Sequence, residues 1–159
     1  MKKIAFTGIV RYTGAEIGGW YLELEANSHE KLGIDPNARV MMELGEDTLH
    51  RGLRNSKNGY SHVALNKKLV DKYHLKEGME VEIHLQEDRS EYGMDFPDEM
   101  REVMEQDPEG RDLFQRATPG LQRGLLHYVS SAKGVQMRIN RALHLMTRVR
   151  ELHAEGKIK

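Results

Sequence analysis

The chain has 159 residues, with 24 basic against 25 acidic side chains and a formal net charge of −1. Its 38% hydrophobic and 31% charged residues support a core for one domain or two small ones, beneath an unusually charged surface. There is no cysteine, which excludes disulfides and thiolate metal sites and fits a reducing compartment.

In chain order, the N-terminus carries Lys2 and Lys3 but lacks the apolar run of a signal sequence. No stretch nears the roughly 20 apolar residues of a membrane span. A cytoplasmic protein without membrane association is therefore expected. Residues 3–11 and 20–25 alternate and predict two strands, joined as a hairpin through a glycine-bearing loop. Ser28 is placed to cap one helical turn closed by Gly33. Residues 38–44 and 47–53 predict a third and a fourth strand, and Asn58 with Gly59 is the strongest hairpin signal. Residues 60–65 then alternate, with Tyr60, His62 and Ala64 on one face and Ser61, Val63 and Leu65 on the other. Asn66 is a cap for a short helix bearing Leu69, Val70 and Tyr73, and Gly78 suits the positive φ of a tight turn. Residues 79–85 alternate strictly, so Met79, Val81, Ile83 and Leu85 share a face. About six short antiparallel strands most simply hide their edges by closing into a small barrel over residues 1–88.

Residues 89–96 read as a polar linker. Beyond it the hydrophobic period changes from two to 3.6, predicting three to four helices over residues 97–156. Pro97, Asp107 with Pro108, and Thr118 with Pro119 are helix starts. Met100, Val103 and Met104 give the first helix an apolar face, Leu113 and Phe114 the second, and Leu121, Leu125, Tyr128 and Val129 the third. On the last helix, Val135, Ile139, Ala142, Met146, Val149 and His153 span about 80° of arc at 100° per residue. The fold class is α+β: a small antiparallel barrel, then a helical domain.

Little in the chain signals chemistry. Eight histidines make no ligand-spaced motif with carboxylates, so no metal site is expected. His62 and His84, read as lying on adjacent strands, would face opposite ways. There is no Gly-x-Ser-x-Gly, phosphate loop or dinucleotide fingerprint. No catalytic residue and no cofactor is assigned, and an enzyme is disfavoured. Charge is segregated, however. Residues 79–115 hold 13 acidic and 3 basic side chains, whereas residues 116–159 hold 9 basic and 2 acidic, so the C-terminal helices present a cationic surface. Arg138, Arg141 and Arg148 fall within about 80° on the last helix, with Lys133 and Arg123 upstream. These cations either pair with the acidic segment or meet an anionic ligand.

The run Asn58, Gly59, Tyr60, then residues 63–67, residues 75–78, Val81 and Ile83, and Asp88 resembles a small bacterial β-barrel domain of unknown function. Pro97 with its acidic neighbours, Leu113, Phe114, residues 119–123, Tyr128, residues 131–133, Arg138 and Arg141 resemble the bacteriocin-protection, YdeI/OmpD-associated family. The resemblance implies a barrel of the swapped-hairpin or double-split kind followed by helices, in a soluble bacterial protein. It implies a phenotype of stress or bacteriocin protection rather than a reaction. That family usually carries an acidic residue and a threonine before its paired arginines, where this chain has residues 135–137, Val-Gln-Met. The expected function is non-enzymatic binding of an anionic small molecule or protein partner through Arg123, Lys133, Arg138 and Arg141. A nucleic-acid-binding regulator is the alternative, and a small-molecule enzyme using a barrel–helix cleft the second alternative.

Overall fold

The computed structural model describes residues 3–14, 19–56 and 59–159. The loop read between Gly14 and Gly19, and the turn read at Asn58, fall partly outside them. The chain forms two compact units, Met1–Arg89 and Ser90–Lys159.

The first unit contains β1 (Ile4–Tyr12), β2 (Trp20–Ala26), α1 (Ser28–Leu32), β3 (Arg39–Leu44), β4 (Asp47–Gly52), β5 (Arg54–Asn55), β6 (Tyr60–Ala64), α2 (Lys67–Lys72) and β7 (Glu80–Glu87). The strands form one antiparallel sheet in the order β4-β3-β7-β1-β2-β6-β5. Its ends curl toward each other into a nearly closed barrel, in which Arg51 Nε of β4 donates to Ala64 O of β6 at 3.0 Å. Alternation sets the inside. Val40, Met42 and Leu44 of β3 are buried while the alternating Arg39, Met41 and Glu43 are partly exposed, and Ser61, Val63 and Leu65, which share a face as read, form the buried side of their strand.

Four details depart from the sequence reading. The two-residue strand β5 follows a break at Leu53, whose side chain is fully buried. β6 and β7 are not neighbours, because β1 and β2 stand between them, so His62 and His84 share no ladder. α2 makes this crossover, its start capped by Asn66 Oδ1, which accepts from Leu69 N at 2.8 Å. Met79 precedes β7 and is 44% exposed rather than in the core. The cap position of α1 is Asn27 in the left-handed region, while Ser28 Oγ donates back to Glu25 O at 2.6 Å.

The second unit packs α3 (Asp98–Gln106), α4 (Pro108–Arg116), α5 (Pro119–Ser130) and α6 (Val135–Ala154) around a second core. Asp107 Oδ1 accepts from Gly110 N at 3.0 Å and Thr118 Oγ1 from Leu121 N at 3.3 Å, so both cap-plus-proline starts act as read. Pro97 occupies the cap position of α3 rather than its first turn. Tyr92, Met94 and Phe96, within the segment read as a linker, pack against this core. The buried faces of α5 and α6 are rotated from those read. On α5, Gln122, Leu126 and Val129 are buried while Tyr128 is 41% exposed. On α6, Leu145 and Leu152 join Ala142, Met146 and Val149, and Val135 is 57% exposed. A polar glutamine centres the α5 face because its Nε2 donates to Phe114 O at 3.1 Å and Gln115 O at 3.3 Å, satisfying carbonyls at the end of α4.

Candidate functional site

Two cationic regions stand out, one in each unit. In the helical unit, Arg138 Nε donates to Glu99 Oε1 at 2.8 Å and its Nη1 to Ala132 O at 3.3 Å. Arg141 Nη1 donates to Tyr128 O at 2.8 Å and Ser131 Oγ at 3.2 Å, and its guanidinium lies 4.8 Å from the Tyr128 ring centroid. The last carbonyls of a helix lack intrahelical donors and carry partial negative charge, and Arg141 answers that at the end of α5, while Arg138 bonds the turn that follows it. Arg138 also ties this corner to the first turn of α3. The Glu99 carboxyl is held below the usual carboxylate range by its own backbone N–H and by Arg138. So residues of the acidic segment do pair with C-terminal arginines within the helical unit, Glu99 with Arg138 among them. Lys133 is exposed in the turn between α5 and α6. Arg123 is partly buried on α5, five residues before Tyr128 and hence about 140° around the helix from it. The corner therefore gathers Arg138 and Arg141 with Lys133 beside them in sequence, and leaves Arg123 apart. Arg148 pairs instead with Glu151 at 3.1 Å and Glu155 at 3.6 Å.

The strongest ion pair of this unit went unread in the sequence. Arg150 Nη1 and Nη2 fork onto Asp107 Oδ2 and Oδ1 at 2.8 and 2.7 Å, while Asp107 also caps α4. Arg150, then the Gly110 backbone N–H, hold the Asp107 carboxyl below its ordinary value. A carboxyl with a lowered folded-state pKa stabilises the fold above its unfolded value, near 3.9, and loses that contribution as pH falls through the folded value. The helical unit should therefore lose stability in acid below about pH 4. Asp107→Asn should lower stability at pH 7 and flatten this acid slope, as read by urea midpoints against pH. An unchanged slope would refute the role of the pair.

In the barrel unit, Arg39, His50, Arg51, Gly52, Arg54, His62 and Ala64 line an open groove of about 420 Å³. It lies at the seam, where β4 and β6 approach without a ladder. Five of its seven lining residues are basic and none is acidic. The arginines are positioned by backbone oxygens. Arg51 Nε donates to Ala64 O, and Arg51 Nη1 donates to His50 O at 2.8 Å. Arg54 Nη1 donates to Leu53 O at 3.0 Å and Asn37 O at 3.4 Å. Nη2 of both arginines makes no hydrogen bond among the described residues. A Cβ at Gly52 would stand 2.7 Å from Arg54 Nη1, so the missing side chain is what lets this guanidinium lie across β4. His50 Nδ1 meets Asp88 Oδ2 at 2.7 Å, and the Asp88 side chain is 1% exposed. The Tyr21 ring stands edge-on to His62 at 5.5 Å. Burial and then the Arg54 charge hold the His62 imidazole below the usual histidine value, and burial pulls the Arg51 guanidinium down.

The lining offers guanidinium donors on two strands and a titratable imidazole on a third, with no carboxylate among the lining residues. Its residues span positions 39–64 with no spacing motif. The available signal was the set of basic residues at positions 50, 51, 54 and 62, which gains meaning once β4 and β6 are known to face each other.

Residues 93–151 match the family model described as Bacteriocin-protection, YdeI or OmpD-Associated. The resemblance read from the helical half of the sequence is thereby borne out. No curated protein and no solved structure matches the chain. No helix among the described residues is long and apolar enough to cross a membrane.

Proposed function

We propose, with the YdeI/OmpD-associated match of the helical unit as premise, that this is a non-enzymatic binding protein of the bacterial cytoplasm. It serves stress or bacteriocin protection by holding an anionic ligand or partner. The observation that carries the reading is the barrel groove, with five basic side chains and no acidic one in its lining. The corner formed by Lys133, Arg138 and Arg141, with Arg123 further along α5, ranks second. There the two central guanidiniums already serve Glu99 and the end of α5, whereas Arg51 and Arg54 keep donors in hand.

Calorimetric titration with inorganic phosphate tests this. A hydrogen bond to a charged group is worth about 1.5–3 kcal/mol, so Arg51→Ala and Arg54→Ala should each weaken binding by about tenfold or more. Arg123→Ala with Lys133→Ala should leave it unchanged. Equal affinity in the Arg51 and Arg54 variants, together with loss in the Arg123 and Lys133 variant, would move the site to the helices.

A further inference from the structure

Resting on that reading of the groove, we infer that its ligand is a compact tetrahedral dianion, a phosphate or phosphate monoester, clasped by Arg51 and Arg54, with His62 as a third donor recruited by protonation. Three observations lead there. First, the donors come from three strands, Arg51 on β4, Arg54 on β5 and His62 on β6, and the last two stand opposite each other in register. A planar carboxylate is satisfied by one arginine fork, whereas a tetrahedral anion presents oxygens in several directions at once. Second, about 420 Å³ lies in the range of small-molecule sites. A nucleic-acid strand calls for a longer cationic track with aromatic platforms, and the ring nearest the groove, Tyr21, is turned edge-on to His62. Third, His62 sits among basic side chains. Arg54 faces it from β5, His50 and Arg51 from β4, and Arg39 from β3. From β2 it meets Tyr21 and, opposite in register, Glu23, which pairs with Arg11 at 3.3 Å.

Burial and the neighbouring Arg54 charge disfavour the imidazolium, which fits the lowered pKa of His62. A dianion between Arg51 and Arg54 reverses the local field and favours it. Binding then takes up a proton at His62, and by linkage affinity rises as pH falls. No bond is made or broken in the ligand.

The test is calorimetry on the full chain with sulfate, whose charge is constant from pH 6 to 8, in buffers of different ionisation enthalpy. Sulfate should bind with net proton uptake and gain about three- to tenfold in affinity between pH 8 and 6. His62→Gln should keep binding at pH 8 and lose the pH dependence, whereas His50→Gln should retain it. Gly52→Ala crowds only the flexible end of Arg54, so it should fold normally and weaken binding severalfold. Phenyl phosphate against inorganic phosphate separates a monoester from the free ion, and tighter binding of either supports the class. Binding without proton uptake, or a pH dependence that survives His62→Gln, overturns the role of His62. Acetate matching sulfate, or an oligothymidylate far outcompeting it with a steep salt dependence, overturns the compact dianion. Absence of sulfate and phosphate binding at every pH instead removes the anion-binding groove itself.

Discussion

Phe114→Ala should cost the helical unit about 3–5 kcal/mol, the range for truncating a buried aromatic. Phe114 is 0% exposed and the largest fully buried side chain. It lies on α4 within the core built by Met100, Leu126, Leu145 and Val149, with the Tyr92 ring 5.7 Å away. Its backbone oxygen also accepts from Gln122, so collapse of α4 toward the cavity would strain a buried hydrogen bond. That limits relaxation and places the expected loss toward the upper end. Phe114→Leu keeps most of the volume and should lose under about 1.5 kcal/mol. Urea unfolding followed by helical circular dichroism reads both. A loss below about 1 kcal/mol for the alanine variant would contradict the described core.

Gly45→Ala should destabilise the barrel by about 2–3 kcal/mol. Gly45 turns β3 into β4 with φ +57°, a left-handed conformation that costs an alanine about 1 kcal/mol. A Cβ there would also stand 2.5 Å from Tyr73 Cε1, so the ring must move. The Tyr73 hydroxyl donates to Asp47 Oδ2 at 2.6 Å and accepts from Glu46 N at 3.0 Å, and displacement weakens both bonds. Two controls separate the causes. Gly78→Ala has φ +87° with nothing within 4 Å of its Cβ, so it should show the backbone cost alone. Tyr73→Phe should lose the hydrogen bonds alone, about 1 kcal/mol. The single tryptophan, Trp20, lies in β2, so its fluorescence during unfolding reports on the barrel. Gly45→Ala must exceed both controls, and equality with Gly78→Ala would dismiss the clash with Tyr73.

These two positions mark how far the sequence reading reached. Phe114 was legible as core because it follows Leu113 behind a capped, proline-started helix. Gly45 falls between two strands predicted from the sequence, but its contact with Tyr73, 28 residues on, was not legible there. The same division runs through the candidate site. The basic C-terminal helices stood out because their charge is dense in sequence, yet Arg141 serves the end of α5 and Arg138 serves Glu99 and the turn after α5, contacts that depend on where α6 folds back. The basic residues of the groove did not stand out, because five of them scattered over positions 39–62 look like ordinary surface residues.

By itself the sequence determined the α+β class, the change from period two to 3.6, most element boundaries, the caps at Asn66, Asp107 and Thr118, and the family resemblance of the helices. These features are local, set by side-chain alternation and by hydrogen bonds spanning three or four residues. Only the tertiary structure decided the strand order, which separates β6 from β7 and brings β4 up to β6. It alone decided which stripe of α5 and α6 is buried, because that depends on the shape of the opposing helices and on Gln122 finding carbonyls at the end of α4. The groove follows from the same cause. Its basic residues share a seam because the barrel closes there, and closure depends on all seven strands together.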